Sequence, residues 1–133
     1  MATLSYRTAG ESHGKALITL VEGMPAGVPV DKDFIDNELR RRQGGYGRGG
    51  RQKIETDTVE VLSGLRQART LGTPLTLVVR NLDHKNWTWG MAPWEPEGEP
   101  HGKGVKRVTL PRPGHADLAG VLKYGHDDVR DAL

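Results

Sequence analysis

The sequence has no cysteine among its 133 residues, which excludes disulfide bonds, thiolate nucleophiles and zinc sites built on cysteine. Hydrophobic residues make up only 35% of the chain and aromatic residues 5%, so we expect a modest core. No apolar run is long enough to span a bilayer, and no charged segment followed by an apolar run marks a secretory signal. These absences predict a polar, loop-rich, soluble cytoplasmic protein with a single domain.

Positive charge is concentrated in one short segment of the chain. Residues 40–53 contain six arginine or lysine residues, five glycines and no acid, although the formal net charge of the whole chain is only +2. Arginine side chains bind carboxylates and phosphates in a bidentate manner, and glycines let backbone N–H groups approach an anion closely. The segment therefore predicts binding of a small, multiply anionic molecule or of a nucleic-acid backbone.

Short apolar and alternating segments predict three strands, at residues 16–22, 58–62 and 74–80. Residues 64–72 would join the last two strands as a hairpin-like antiparallel pair. Residues 81–105 read as a long loop that contains three tryptophans. Because strands and helices do not alternate regularly, the pattern predicts an α+β fold with mostly antiparallel strands.

Helix signals occur in three places. Asp31 is placed to cap a helix over residues 32–42, and the glycines at 44 and 45 would end that helix. Residues 116–123 predict a short helix. Residues 127–133 resemble the capped start of another helix, with acids in its first turn, so we expect the chain to stop inside a helix.

Two common motifs match the sequence but lack the required context. Residues 45–50 fit the dinucleotide pattern G-x-G-x-x-G, yet they follow a predicted helix rather than a strand. Residues 10–14 fit the nucleophile elbow G-x-S-x-G, yet no strand is predicted before them and a strand rather than a helix is predicted after them. Neither a Rossmann fold nor an α/β-hydrolase is expected.

Two histidines occupy positions that favour a chemical role. His13 lies in a glycine-containing turn, and an imidazole there could pass a proton to a leaving phosphate near neutral pH. His115 follows a turn of two prolines and one glycine that also holds Arg112, and Asp117 could orient its ring. A solvated or structural role remains open for both. No metal site is expected, because the other histidines lack metal-ligand spacing: His84, His101 and His126.

Several segments together resemble the chorismate synthase family. The resemblance begins at residues 8–14, Thr-Ala-Gly-Glu-Ser-His-Gly, and continues through residues 22–27 and the arginine–glycine segment at 40–51. It also includes the run Pro-Arg-Pro-Gly-His-Ala-Asp at residues 111–117, with further matching strings at 53–57 and 123–125. These motifs occur in order and extend over most of the chain.

The resemblance implies a lyase of the shikimate pathway. Members of this family eliminate phosphate in a 1,4-anti sense from 5-enolpyruvylshikimate-3-phosphate to give chorismate, and they require reduced FMN. By this resemblance His13 gives a proton to the departing phosphate, and His115 gives a proton to the reduced flavin or stabilises it. Four arginines would hold the phosphate and the two carboxylates of the substrate: Arg42, Arg48, Arg51 and Arg112. Arg42 and Arg48 are also sometimes assigned to a nicotinamide phosphate, with NADPH as the reductant.

The resemblance also implies a fold and an assembly. The family packs helices between antiparallel sheets in a layered sandwich, and it assembles as a homotetramer. Residues 1–133 would then be the N-terminal part of a single, truncated domain, with most FMN contacts beyond Leu133. We expect such a fragment to be inactive alone, and we expect no membrane partner and no nucleic-acid partner.

One alternative uses the same basic segment differently. The order of arginine and glycine at residues 47–51 is similar to that of RNA-binding arginine–glycine segments, and the sequence pI of about 9.0 allows such a role. Against it, the basic residues are confined to one short segment, and the tryptophans lie far from it in sequence.

Overall fold

The computed structural model describes residues 3–44 and 57–133. Its described residues form two compact units, the first drawn from the ranges Met1–Gly10 and Lys15–Leu82 and the second from Glu11–Gly14 and Asp83–Leu133. Residues 45–56, which include most of the basic segment at residues 40–53, lie outside the described residues.

A four-stranded antiparallel sheet organises the first unit. Its strands are β1 (Ser5–Ala9), β2 (Ala16–Glu22), β3 (Val59–Ser63) and β6 (Leu75–Arg80), and their order across the sheet is β1-β2-β6-β3. The predicted strands at 16–22, 58–62 and 74–80 are confirmed, and β3 and β6 form the expected antiparallel pair. The remaining strand, β1, was not predicted.

The buried apolar side chains described in this unit come from β6 and from its neighbour β3. Val78 and Leu75 on β6 are 2% and 4% exposed, and Val59 on β3 is 8% exposed. The β3–β6 pairing shifts register between Val61 and Ser63, and Gly64 follows at once with a φ of +80°. A side chain at position 64 would place its Cβ 2.5 Å from the carbonyl oxygen of Pro74, so this turn requires glycine.

A second, two-stranded sheet lies inside the β3–β6 connection. Its strands are β4 (Leu65–Arg66) and β5 (Arg69–Thr70), which pair antiparallel across Gln67 and Ala68. Both turn residues have positive φ, as a two-residue hairpin with right-handed twist requires. The hairpin also holds the loop after β2, because the backbone N–H of Val28 donates to the Oγ1 of Thr70 at 2.9 Å.

Helix α1 (Lys32–Gln43) confirms the predicted helix and its cap. The Asp31 carboxylate accepts from the backbone N–H groups of Asp33 and Phe34, which satisfies donors that a helix start leaves open. Asp36 ties the helix to the sheet, because its Oδ1 accepts from the backbone N–H of Val59 at 2.8 Å. The hydrogen bond from Lys32 lowers the pKa of Asp36, so this carboxylate stays charged at neutral pH.

The second unit contains one α-helix and much irregular backbone. Helix α2 (Asp117–Tyr124) confirms the short predicted helix, and Gly125 ends it with a left-handed φ of +69°. The long predicted loop begins with a 3-10 helix, Leu82–Asn86, whose first residue belongs to the sheet unit. The predicted helix start near residue 128 is a shorter 3-10 helix, Val129–Ala132, capped by Asp128.

Strand β1 corrects one step of the sequence argument. A strand does precede residues 10–14, although none was predicted there. The nucleophile-elbow geometry is still not met, because these residues connect β1 to its antiparallel neighbour β2 rather than to a helix.

The described residues therefore form a mixed α+β structure with a four-stranded antiparallel sheet and two α-helices. None of the helices in the described ranges combines the length and the apolar character that a membrane crossing demands.

Candidate active site

His13 is one of the most buried polar residues that the structure describes. It lies in the segment between β1 and β2, belongs to the second unit, and is 6% exposed. Its imidazole stacks on the indole of Trp87, with ring centroids 4.0 Å apart and planes inclined by 19°. Because stacked aromatic rings resist tilting in a packed interior, this contact fixes the plane of the imidazole.

Asp83 faces one edge of the same imidazole. Its Oδ2 lies 3.7 Å from the Nδ1 of His13 and accepts a hydrogen bond from the Trp87 Nε1–H at 3.0 Å. Its Oδ1 accepts from the side-chain amide of Asn86 at 2.8 Å and lies 3.8 Å from the ammonium of Lys103. Both oxygens of this carboxylate therefore have fixed donors, and the carboxylate is only 13% exposed.

The backbone of His13 is held by a second histidine. The Nδ1 of His84 lies 3.0 Å from the carbonyl oxygen of His13. Since a carbonyl oxygen can only accept, the proton of His84 must be on Nδ1 in this contact. His84, Asp83 and Trp87 thus hold the backbone, the ring edge and the ring plane of His13 from one short segment.

Sequence reasoning did not identify this supporting set. His84 was considered only as a metal ligand, and the tryptophans only as part of a long loop. The available signal was the spacing of Asp83 and Trp87, because residues four apart can meet on one side of a helical turn.

Arg112 and Asp117 form an ion pair in the second unit whose carboxylate is almost fully buried. The Asp117 carboxylate accepts from the backbone N–H, the Nε and the Nη2 of Arg112 at 3.0, 2.8 and 2.9 Å. Asp117 is 1% exposed, and the Arg112 hydrogen bonds hold its pKa well below the usual range. The sequence interpretation gave Asp117 the ring of His115 as partner, but the structure places its carboxylate on Arg112.

The same turn presents two polar side chains to the surface. The Arg112 side chain is 39% exposed, and the hydrogen bonds from it to Asp117 raise its pKa, so it stays cationic. His115 is exposed, and its backbone N–H donates to the Arg112 carbonyl oxygen at 3.3 Å. Gly114 between them has a φ of +75°, a conformation that glycine adopts without strain.

Arg42 belongs to the sheet unit, at the end of α1. Its Nη2 donates to Asp57 at 2.8 Å, and the backbone N–H of Asp57 reaches the Oε1 of Gln43 at 3.3 Å. These contacts connect Arg42 and Gln43, which precede residues 45–56, with Asp57, which follows them. Arg42 is still 57% exposed on its side chain, so it can reach solvent. Arg48 and Arg51 lie outside the described residues.

Three of the four described candidate residues therefore have a partner side chain in direct contact, and His115 is the exception. His13 rests on Asp83 and Trp87, Arg112 on Asp117, and Arg42 on Asp57. Within residues 3–44 and 57–133, no group of three or more histidine, aspartate or glutamate side chains is arranged to hold a metal ion.

A second ion pair lies near the end of the described chain. Arg130 donates through Nε and Nη2 to Asp128, and its Nη1 donates to the carbonyl oxygens of Gly104 and Val105. Asp128 also accepts from the backbone N–H of Val108. The pair thus joins residues 104–108 to the 3-10 helix Val129–Ala132.

We expect acid to remove the contribution of Asp128 to stability. The Arg130 hydrogen bonds lower the pKa of Asp128 from 3.8 to about 2. A carboxylate with a lowered folded-state pKa stabilises fully above its ordinary pKa, and this contribution is lost as the pH falls through the folded value. Between roughly pH 5 and pH 2 the contribution lost is on the order of 1 kcal/mol, after allowing for solvent screening.

Urea unfolding of the chain and of Asp128→Asn at several pH values measures this loss. The variant should be less stable than the parent at the upper pH, and the difference should shrink towards the lower pH. A difference that does not change with pH would contradict the assignment.

These features define a mixed α+β protein with a buried, carboxylate-supported histidine and a surface turn that carries a cation and an imidazole. Such a set suits proton transfer on an anionic ligand. The family model described as chorismate synthase matches residues 4–132. The chain belongs to the chorismate synthase family.

Individual relatives agree with this assignment. The chain is 59% identical over 131 residues to chorismate synthase of Symbiobacterium thermophilum, a match that covers 98% of this chain and 34% of the relative. It is 59% identical over 130 residues to the Desulforudis audaxviator enzyme and 56% identical over 130 residues to that of Chlorobium phaeovibrioides, covering 98% of this chain and 32% of each relative.

A solved structure gives the same result for the fold. A crystal structure of chorismate synthase superposes with a TM-score of 0.61 at 37% sequence identity, and the match covers 96% of this chain and 27% of that one. The chain spans about a third of the length of the curated relatives it matches. The described structure is accordingly part of the chorismate synthase fold.

Proposed function

We propose that this chain supplies part of the active site of a chorismate synthase. The reaction is the 1,4-anti elimination of phosphate from 5-enolpyruvylshikimate-3-phosphate to give chorismate, with reduced FMN as cofactor. The observation that carries the proposal is the burial of His13 between Trp87 and Asp83, in a chain that belongs to this family. A histidine fixed in plane and at one edge is prepared to act on a positioned substrate.

In this proposal His13 gives a proton to the departing phosphate. A phosphate dianion leaves more readily when a neighbouring acid protonates its oxygen, and imidazole is the side chain best matched to this task near neutral pH. The burial of His13 supports the role, because a proton donor inside a closed site loses less of its effect to water.

The arginines would bind the three anionic groups of the substrate. Arg112 suits this role because Asp117 fixes its guanidinium while part of the side chain still reaches solvent. The Asp117 pair uses Nε and Nη2, two of the nitrogen atoms of the fork, so the remaining donors can serve a ligand. Arg42, Arg48 and Arg51 complete the proposed set, and Arg42 and Arg48 would alternatively meet the phosphate of NADPH.

The turn at residues 111–117 offers a donor set that fits reduced FMN in part. Arg112 supplies a fixed cation and His115 an exposed imidazole, and both suit an electron-rich ring that carries negative charge. Bound reduced FMN would supply the electron density that the elimination requires. His115 would hold or give a proton at that ring, and most other FMN contacts would come from residues beyond Leu133.

Further parts of the proposal rest on the family. In the complete enzyme the described sheet would form one layer of a sandwich in which helices pack between antiparallel sheets. Residues 1–133 would form the N-terminal part of that single domain, and the whole enzyme would be a cytoplasmic homotetramer. The 133 residues alone would then be inactive.

A chimera tests the proposed function. Residues 1–133 would replace the matching third of the Symbiobacterium thermophilum enzyme, which is similar enough in sequence for the remainder to pack normally. We expect phosphate release from 5-enolpyruvylshikimate-3-phosphate with reduced FMN at a rate within about tenfold of the parent enzyme, a difference of about 1.4 kcal/mol in the barrier. The isolated chain should release none. A folded tetrameric chimera without activity would count against the proposal.

A further inference from the structure

We propose that Asp83 is a positioning residue for His13, holding the Nδ1 edge of the imidazole so that Nε2 is the atom that gives up the proton. The inference rests on the proposed function in one respect only, the role of His13 as proton donor. The contact between Asp83 and His13 is a property of the structure and can be tested without any assay of activity.

The Asp83 carboxylate is itself immobilised. Trp87 donates to its Oδ2 and Asn86 donates to its Oδ1, both at hydrogen-bond distance. The oxygen that faces His13 is the one bound by Trp87, at 3.7 Å from Nδ1. A carboxylate held by two donors cannot turn away from the imidazole without losing both hydrogen bonds.

Trp87 connects the imidazole of His13 and the carboxylate of Asp83. The same indole stacks on the His13 ring and donates its N–H to Asp83. The plane of the imidazole and the position of the carboxylate are therefore set by one side chain. His84 adds the backbone contact, so the segment that contains these three residues holds His13 at three points.

The proposed proton transfer leaves one defined tautomer of His13. When an imidazolium gives the proton from Nε2, the N–H bond at Nε2 breaks, an O–H bond forms on the departing phosphate, and a neutral imidazole with its proton on Nδ1 remains. A carboxylate at the Nδ1 edge stabilises both that product and the imidazolium before it. The ammonium of Lys103 lies 3.8 Å from the oxygen of this carboxylate that faces away from the imidazole.

Nitrogen NMR of the chain labelled with ¹⁵N-histidine tests the contact directly. At a pH where the ring is neutral, the ¹⁵N shifts of His13 report which nitrogen holds the proton, and loss of the signal in His13→Gln assigns it. We expect the Nδ1–H form to dominate. A dominant Nε2–H form in the unaltered chain would overturn the inference without any variant.

Two variants sharpen this measurement. Asp83→Ala should move the tautomer ratio about three- to tenfold towards Nε2–H, the change expected when a carboxylate 3.7 Å from Nδ1 no longer attracts the proton there. If that variant fails to fold, Trp87→Phe keeps a ring for stacking but removes the N–H that holds Asp83, and it should move the ratio about twofold in the same direction. An unchanged ratio in the folded variant would overturn the inference.

The matched control is Asp131→Ala. Asp131 lies 4.0 Å from the Nδ1 of His126 and is 61% exposed, so it offers the same pair of groups without burial. This variant should leave the His13 signals and the activity of the chimera unchanged. A change in the His13 tautomer as large as that in Asp83→Ala would show that the effect is not local.

Activity separates the inference from the proposed function. In the chimera, Asp83→Ala should lower kcat for phosphate release by about 10- to 100-fold and leave KM within about twofold, because substrate binding does not use Asp83. If His13→Ala left kcat unchanged, the proposed role of His13 as proton donor would be wrong. The tautomer measurement would still decide whether Asp83 positions the imidazole. A normal kcat in Asp83→Ala beside a large loss in His13→Ala would overturn the positioning role.

Discussion

Replacing His13 with alanine should lower kcat for phosphate release by the chimera by about 10²- to 10⁴-fold, the usual contribution of a positioned general acid. The rate falls because the departing phosphate then leaves without a proton from the protein. KM should change little, since the arginines rather than His13 hold the charged groups of the substrate. Steady-state measurement of inorganic phosphate with reduced FMN in excess provides both constants.

Two further variants separate proton transfer from packing. His13→Phe keeps a ring that can stack on Trp87 but has no proton to give, so it should be as slow as His13→Ala. His126→Ala removes a histidine whose carboxylate neighbour is exposed, and it should retain the parent rate. Near-normal activity in His13→Phe would assign His13 to packing alone.

Replacing Asp117 with alanine should lower the free energy of unfolding by about 2–3 kcal/mol, because it removes one member of a buried, bidentate ion pair and leaves a backbone N–H of Arg112 without its acceptor. This expected loss of unfolding free energy is smaller than that for a fully buried pair, because the Arg112 side chain is 39% exposed. Helix α2 begins at Asp117, so the loss should also weaken the start of that helix. Urea unfolding followed by circular dichroism measures the change.

The control for this prediction is an exposed pair of the same kind. Glu60 and Arg80 also form a two-pronged contact, but their side chains are 46% and 59% exposed. Glu60→Ala should therefore give no measurable change in the unfolding midpoint. Adding Arg112→Ala to Asp117→Ala should cost little more than Asp117→Ala alone, because the two residues act as one unit. Independent, additive losses would contradict the pairing.

The strands and helices that the sequence predicted are those whose signals are local. Strand β2 is mostly apolar and partly β-branched, and α1 has a capping aspartate and three arginines in its last turn. Strand β1 was not predicted, because all five of its residues, from Ser5 to Ala9, are exposed. An edge strand with so little buried surface gives no hydrophobic pattern, and its place depends on pairing with β2.

The site shows the same division between local and distant signals. Arg112 and Asp117 are five residues apart, and the sequence placed both in one rigid turn, although it assigned Asp117 to the ring of His115 rather than to Arg112. The residues around His13 lie about seventy positions later in the chain, and the His84 contact spans 71 residues. A loop composition rich in tryptophan does not reveal such a contact, because what matters is which turn of the loop meets His13.

The strand order β1-β2-β6-β3 has a consequence for how the chain acquires its structure. The two central strands, β2 and β6, pair Val21 with Leu75 and Ala16 with Arg80. The ribosome therefore synthesises these two strands at well-separated times. Until Arg80 leaves the ribosome, the nascent sheet can contain only the β1–β2 hairpin, and a lone hairpin is marginal in water. Pairing between residues so far apart in sequence closes large loops and slows folding. During this interval the nascent chain must stay unaggregated.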